Sequence, residues 1–375
     1  MVQKRKLKLK SKYIEILKAL GTIFGIVLAV FFIYLYNIHQ LENLGYSKEA
    51  SKNILFKFKK SYVMDIGENK TLNAAFESLD YDENNLDSYA KIKYQNHKHL
   101  IKNINTLIKK KYSNNNISMI LAHGSDIDVS EFAKRDKIRY LEEFFSIDYA
   151  KLKNYDRYVA YSDETGEDEE VVVIAVNLDM DKENYKDPVV ISKFDEKVLV
   201  NKHRQLSKDY VPKELVKISN NYTSEKNIKA SKVAVDAFIS MYKAAEKEGY
   251  GIIINSAYRS YKEQEDVCSQ YKNLYGDSYV ERYVAKAGFS EHQTGYAFDI
   301  GSTKKNVFAE SKEYSWMKDN AYKYGFIQRF PKGYEEMTGF RAEPWHYRYV
   351  GKKIAKYMHD NKMTYEEYYA RFLDK

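Results

Sequence analysis

The sequence predicts an α+β protein carried behind a membrane-length helix and a mainly helical spacer. Three observations support this. The eighteen positions from Ala19 to Tyr36 hold no charge, residues 37–190 repeat apolar residues at helical spacing, and from about Phe194 short strand-like runs alternate with well-formed helices. The expected segments are a basic tail (1–18), an anchor (19–36), a spacer (37–190) and a C-terminal domain (191–375).

The anchor comes first. The stretch GTIFGIVLAVFFIYLY is apolar on every helical face, and eighteen residues rise about 27 Å, close to the hydrocarbon thickness of a bilayer. Lys4, Arg5, Lys6, Lys8, Lys10, Lys12 and Lys18 precede it, so the N-terminus is expected to stay cytoplasmic and everything after Tyr36 to lie outside. No small-x-small cleavage site follows the run, which favours a retained single-pass anchor over a cleaved leader. The charge also argues against nucleic acid. The net charge of the 375 residues is +8, and residues 1–18, with seven Lys or Arg against one Glu, carry six of those charges. The rest is nearly neutral, unlike a domain that tracks a phosphate backbone. A single cysteine, Cys268, excludes an intramolecular disulfide and an all-cysteine metal site; inside a helix with no cationic partner nearby, it is expected to act as a small hydrophobe.

The spacer offers few landmarks. Gly45 ends one helix and Ser47 starts the next, which runs through Ala50, Ile54 and Leu55; Leu100, Ile104, Leu107 and Ile108 repeat the pattern. The acidic run from Asp163 to Glu170 is followed by Val171 to Val176, which reads as a strand. Asp179, Asp181 and Glu183 lack the glycine and terminal Glu of a calcium loop and read as a solvated turn. His97, His99 and His123 have no partner acid at a ligand spacing and read as surface or core histidines. No binding partner of this region can be named.

In the C-terminal part, Ala230, Val233, Ala234, Ala237, Phe238, Met241, Ala244 and Ala245 form an apolar helical stripe that stops at Gly249. Ile252 to Ile254 reads as a buried strand, and Ser260 with Glu263 as a capping box. Three clusters then carry chemistry: Ser256-Ala-Tyr-Arg259-Ser260, Ser290-Glu-His292-Gln-Thr-Gly295-Tyr-Ala-Phe-Asp299 and Glu343-Pro-Trp345-His346-Tyr-Arg348. Alternation over Tyr296 to Ile300 turns Asp299 away from the apolar side, and Gly295 lets the chain fold back toward His292. His346 would complete a His, Asp, His set with a fourth tetrahedral position open, as catalytic zinc sites require. Glu343, three residues before His346, stands near such a metal without being a ligand and is the natural general base.

Taken together, residues 195–360 resemble the zinc D-alanyl-D-alanine carboxypeptidases of the VanY type and the similar L,D-carboxypeptidases that trim bacterial peptidoglycan. The resemblance extends to the lead-in segments Leu199-Val-Asn-Lys202 and Asp209-Tyr-Val-Pro212. It implies a small antiparallel sheet flanked by helices, the zinc D,D-carboxypeptidase or hedgehog-like fold. It also implies one Zn2+ per chain on His292, Asp299 and His346, with Glu343 catalytic. The same resemblance assigns Arg259 to the scissile carbonyl oxygen and Gln264 and Ser290 to the peptide end of the substrate, beside Ser256; Trp345 and Tyr347 are candidates for the pocket wall. The implied activity is removal of the terminal D-alanine from peptidoglycan stem peptides at the bacterial cell surface. The alternatives are an L,D-carboxypeptidase or endopeptidase of the same fold, and a non-catalytic wall-binding or signalling protein. An intact Glu343 speaks against the last.

Overall fold

The computed structural model describes residues 2–135, 138–304 and 307–374. The chain divides into two compact units, Met1–Tyr155 and Asp156–Lys375.

The first unit is helical. Helix α1 (Val2–Asn43) is the one helix among the described residues long and apolar enough to cross a membrane, a property that spans and signal sequences share. No residue from Lys12 to Tyr36 is buried, whereas Ile38 and Leu41 at its C-terminal end are. The side chains of residues 2–11, including Lys4, Arg5, Lys6, Lys8 and Lys10, lie outside the described residues. Gly45 takes φ +101°, and the Ser47 hydroxyl accepts from Ala50 N–H to start α2 (Lys48–Phe56). Short helices follow: α3 (Lys60–Ile66), α4 (Lys70–Glu77), α5 (Leu86–Lys91), α6 (Leu100–Lys109), α7 (Asn114–His123), α8 (Asp126–Phe132) and α9 (Leu141–Phe145). Leu72, Ile104, Leu107, Ile117, Phe132 and Phe144 close their core. Two of the histidines set aside from the sequence make structural contacts: a His97 ring nitrogen meets Leu121 O and a His123 ring nitrogen meets Ala150 O, each at 2.8 Å.

The second unit begins at the second residue of α10 (Tyr155–Thr165), and α11 (Glu169–Asn177) follows. The latter corrects the strand expected at Val171 to Val176. A short apolar run of β-branched residues fits a buried helix as well as a strand; here Val172 to Val176 are all buried, and Glu169 and Glu170 occupy the first turn. The turn that follows is paired rather than solvated: Arg157 donates to Asp179 at 2.9 Å and to Asp181 at 2.8 Å, and Lys182 reaches Asp179 at 2.8 Å.

Two small pairings precede the main sheet, parallel β1 (Val189–Val190) with β2 (Arg204–Gln205), and antiparallel β3 (Leu215–Lys217) with β4 (Lys229–Ser231). Helix α12 (Lys232–Lys247) buries Ala234, Val235, Phe238, Met241 and Ala245, leaving Val233 exposed, and ends before Gly249 at φ +82°. The main sheet comprises β5 (Ile252–Ser256), β6 (Ala297–Ser302), β7 (Phe326–Phe330) and β8 (Glu343–Tyr349) in the order β5-β6-β8-β7, all antiparallel. Around it lie α13 (Tyr261–Tyr275), α14 (Asp277–Tyr283), α15 (Lys312–Asn320), α16 (Glu335–Thr338), α17 (Lys352–Asn361) and α18 (Tyr365–Phe372). One face of the sheet packs Ile252, Ile254, Phe298, Ile300, Phe326 and Tyr347 against α12, Trp316 and Met317. This is the small antiparallel sheet flanked by helices expected from the resemblance. Successive residues of a strand point to opposite faces, so burying this set fixes which side chains face the other way.

Candidate active site

The other face of the sheet carries the polar row. Across β5, β6 and β8, Ser256 stands opposite Asp299 and Asp299 opposite His346, while Phe298 pairs with Tyr347 in the core. Directly opposed residues hold their Cβ atoms about 5 Å apart, so a carboxylate and an imidazole must meet here. An irregularity between Ile254 and Ser256 shifts the register by one residue and brings Ser256 into the row. His292 arrives from a 3-10 turn, Glu291–Thr294, which Ser290 caps and Gly295 ends at φ +72°. A Cβ on Gly295 would lie 3.2 Å from Ser231 N, a tight contact added to the strain of the positive φ, so the turn back into β6 favours glycine.

The ring nitrogens are sorted by their partners. His292 Nδ1 lies 2.6 Å from Ala257 O, which only accepts, so Nδ1 carries the proton and Nε2 faces Asp299 Oδ2 at 3.4 Å with its lone pair. His346 has the opposite arrangement: Nδ1 faces Asp299 Oδ1 at 3.2 Å and Glu343 Oε2 at 3.5 Å, while Nε2 faces Glu291 Oε2 at 3.5 Å. Donor atoms of His292, Asp299 and His346 lie within 4.8 Å of one another, the one such group among the described residues.

Arg259 lies beside them. Its guanidinium donates to Gln264 Oε1 at 2.8 Å and to Ser256 Oγ at 3.2 Å, and its backbone N–H donates to His292 O at 3.2 Å. Gln264 is buried with both ends of its amide engaged, its nitrogen donating to Ala285 O at 2.6 Å; the Cys268 thiol donates to the same carbonyl at 3.2 Å. Arg259, Gln264, His292, Asp299 and His346 line a cavity of about 300 Å³, with Ser290, Glu343 and Trp345 in its wall and Tyr271, Tyr279 and Tyr283 at one side; Ser256, expected beside the substrate, is not in that wall and meets the site through Arg259. Of the two aromatic wall candidates, Trp345 is 44% exposed and lines the cavity, whereas Tyr347 is fully buried in the core, where it pairs with Phe298.

Four charged residues behind the site were given no role from the sequence, although Glu291 and Arg348 lie within two of its clusters. Glu291 Oε1 accepts from Arg329 Nε and Arg348 Nη1, both at 2.9 Å, and Arg329 makes a second, two-pronged pair with Glu366 of α18. All four are buried. Arg348 is completed by Val198 O at 2.8 Å and Glu196 O at 3.1 Å. Two features could have flagged them: Arg348 shares a strand face with His346 two residues before it, and Arg329 is a lone cation in the apolar strand Phe326-Ile-Gln-Arg-Phe330.

The electrostatics of the cluster call for a cation. Burial alone would raise the Asp299 carboxyl, but His292 and His346 outweigh it and hold it well below the usual range. Burial holds the His292 imidazole low, keeping Nε2 a lone-pair donor. For His346 burial acts downward too, yet the close Asp299 and Glu291 carboxylates push it up to about 10, so in the metal-free chain it keeps a proton among carboxylates. Asp299 Oδ1 is buried with no aligned hydrogen-bond partner even though His346 Nδ1 is close. Two imidazoles and a carboxylate with such an orphaned oxygen are a donor set that suits zinc.

Glu343 responds differently. Burial, helped by Asp299 and Glu291 and opposed by His346 and Arg259, pushes its carboxyl from 4.5 up to about 7. Between those values the folded state binds the extra proton, so stability falls as pH rises from 4.5 to 7. Above pH 7 the ionised carboxylate costs the metal-free fold on the order of 2 to 3 kcal/mol. Metal-free Glu343→Gln should therefore melt roughly 5 to 10 °C above the parent at pH 8 and together with it at pH 4.5. No gain at pH 8 would contradict the raised value.

Residues 227–352, wholly within the second unit, match the family model for D-alanyl-D-alanine carboxypeptidase, VanY. YodJ of Bacillus subtilis (strain 168), named as a carboxypeptidase, is 42% identical over 181 residues, covering 46% of this chain and 66% of that protein. VanXYC of Enterococcus gallinarum, a bifunctional D-Ala-D-Ala dipeptidase and D-Ala-D-Ala carboxypeptidase, is 31% identical over 178 residues, 46% of this chain and 92% of its own. The solved structure of the LdcB LD-carboxypeptidase is 40% identical, covering 49% of this chain and 90% of that one at a TM-score of 0.46. The chain thus spans slightly less than two thirds of the Bacillus relative. The class is that of carboxypeptidases built on a small α+β domain. Within it, the chain belongs to the VanY-like D-alanyl-D-alanine carboxypeptidase family.

Proposed function

We propose that this protein is a membrane-anchored, extracytoplasmic zinc carboxypeptidase that removes the terminal D-alanine from peptidoglycan stem peptides. The observation that carries the reading is the convergence of His292, Asp299 and His346 with Glu343 3.5 Å from His346. His292 through Nε2, Asp299 through its carboxylate and His346 through Nδ1 would hold one zinc ion. When bound, zinc supplies a Lewis acid that polarises the scissile carbonyl and brings a coordinated water to a pKa of about 7.

The chain's own residues do the rest. Glu343, facing the cavity beside His346, accepts the proton of the attacking water and returns it to the leaving amine. Arg259, aimed by Gln264 and Ser256, donates to the carbonyl oxygen as negative charge develops there. With its amide engaged on both sides, Gln264 serves the substrate by holding Arg259; the Ser290 hydroxyl in the cavity wall is free to donate to the peptide end. Trp345 walls the mouth. Continuity of α1 from Val2 to Asn43, with Ile38 and Leu41 buried in the first unit, supports retention of the anchor. The basic flank supports a cytoplasmic N-terminus.

The test uses three stems: a pentapeptide ending in D-Ala-D-Ala, its C-terminal amide and the tetrapeptide. Amidation removes a charged partner and leaves a buried donor unpaired, a loss of about 1 to 3 kcal/mol or roughly five- to over a hundredfold in kcat/KM. Release of D-alanine from the free pentapeptide, identified by mass, is the expected result. Equal cleavage of acid and amide would leave an endopeptidase, and action on the tetrapeptide alone an L,D-carboxypeptidase.

A further inference from the structure

The two oxygens of Glu291 do different things. Oε1 accepts from Arg329 and Arg348, both at 2.9 Å. Oε2 is buried with no hydrogen-bond partner, and so is His346 Nε2; the two orphaned atoms face each other across 3.5 Å. A buried carboxylate oxygen and a buried imidazole nitrogen are rarely left unpaired, and pairing them needs only a small closure. The far side of the same ring presents Nδ1 to Asp299 and Glu343.

We propose that Glu291 is a positioning residue that holds the proton of His346 on Nε2 and thereby keeps the Nδ1 lone pair free for the metal. This rests on the reading of His292, Asp299 and His346 as zinc ligands. A carboxylate only accepts, so the facing ring nitrogen must donate; an imidazole with its proton on Nε2 has its lone pair on Nδ1. Arg329 and Arg348 fix Glu291 through two charge-assisted hydrogen bonds to its Oε1, and the fork between Arg329 and Glu366 braces that pair from α18. His292 reaches the same end by another acceptor, since Ala257 O holds its proton on Nδ1 and leaves Nε2 for the metal. The two histidines therefore serve through different ring atoms, each set by the group behind it.

Glu291→Gln separates the two jobs of the side chain. Its amide oxygen still accepts from the two guanidiniums, but its N–H points at His346 Nε2 and requires that nitrogen to accept. The proton then moves to Nδ1 and blocks the ligand position. Glu366→Gln disturbs the same buried network without touching His346. In the full-length chain in detergent, zinc affinity measured against a chromophoric chelator should fall about 10- to 100-fold in Glu291→Gln and stay within about threefold of the parent in Glu366→Gln. Melting of the metal-free proteins gives the stability cost of each. Equal loss of affinity in both variants would assign the effect to the fold and overturn the proposal, as would unchanged affinity in Glu291→Gln. Failure of the parent itself to bind zinc would sink the zinc reading instead. If Glu291→Gln does not fold, the zinc-loaded parent labelled with 15N-histidine decides: His346 should show a protonated Nε2 and a metal-bound Nδ1, and binding through Nε2 would overturn the proposal.

Discussion

Glu343→Gln should keep one zinc per chain and lose about 10²- to 10⁴-fold in kcat, with little change in KM. The amide is nearly isosteric with the carboxylate, so the cavity and the His, Asp, His cluster are retained. It cannot accept a proton, so attack on the carbonyl loses its base and the leaving amine its acid. In the metal-free chain burial pushes this carboxyl up to about 7, and a bound dication nearby favours the carboxylate form that a base requires. Steady-state kinetics on the pentapeptide, with zinc measured on the same samples, check this. Full activity in the variant would remove Glu343 from the chemistry, and loss of zinc would make it a ligand.

His346→Ala should lose both zinc and activity. Truncation removes a ligand nitrogen and leaves Asp299 Oδ1 and Glu291 Oε2, already without hydrogen-bond partners, facing an empty space. Zinc affinity should fall by more than about 100-fold, beyond the range usual for an outer-shell partner, and added zinc in excess should restore little turnover. The contrast with Glu343→Gln is the informative part: one variant empties the site, the other fills it without turning over. If His346→Ala keeps a full equivalent of zinc, another residue ligates and the cluster must be reassigned.

Much of the candidate site was readable as short-range pattern. His292 and Asp299 lie seven residues apart across a glycine turn, so their convergence follows from turn and strand geometry. Glu343 and His346, three apart in β8, would face opposite ways in a regular strand, and they meet where the register against β7 is irregular. The capping box of Ser260 and Glu263 and the end of α12 before Gly249 were legible for the same reason, because caps and left-handed glycines act within one turn. The helix at Val171 to Val176 was not. Strand propensity there is a preference of tenths of a kcal/mol, and burial on all sides outweighed it.

By itself the sequence determined the apolar helix, the helix caps at Ser47 and Ser260, and the residue types that meet at the cavity, all of which depend on neighbours within a few positions. Tertiary structure alone decided which strands lie side by side. The order β5-β6-β8-β7 sets Ser256, Asp299 and His346 in one row, and a one-residue irregularity in β5 completes it. It also decided that Glu291 meets Arg329 and Arg348, 38 and 57 residues further along the chain, and that α18 supplies Glu366 to Arg329. Such pairs have no local spacing. They form because buried charges must find partners wherever the packed sheet brings strands and helices together, and that is settled only when the core has closed.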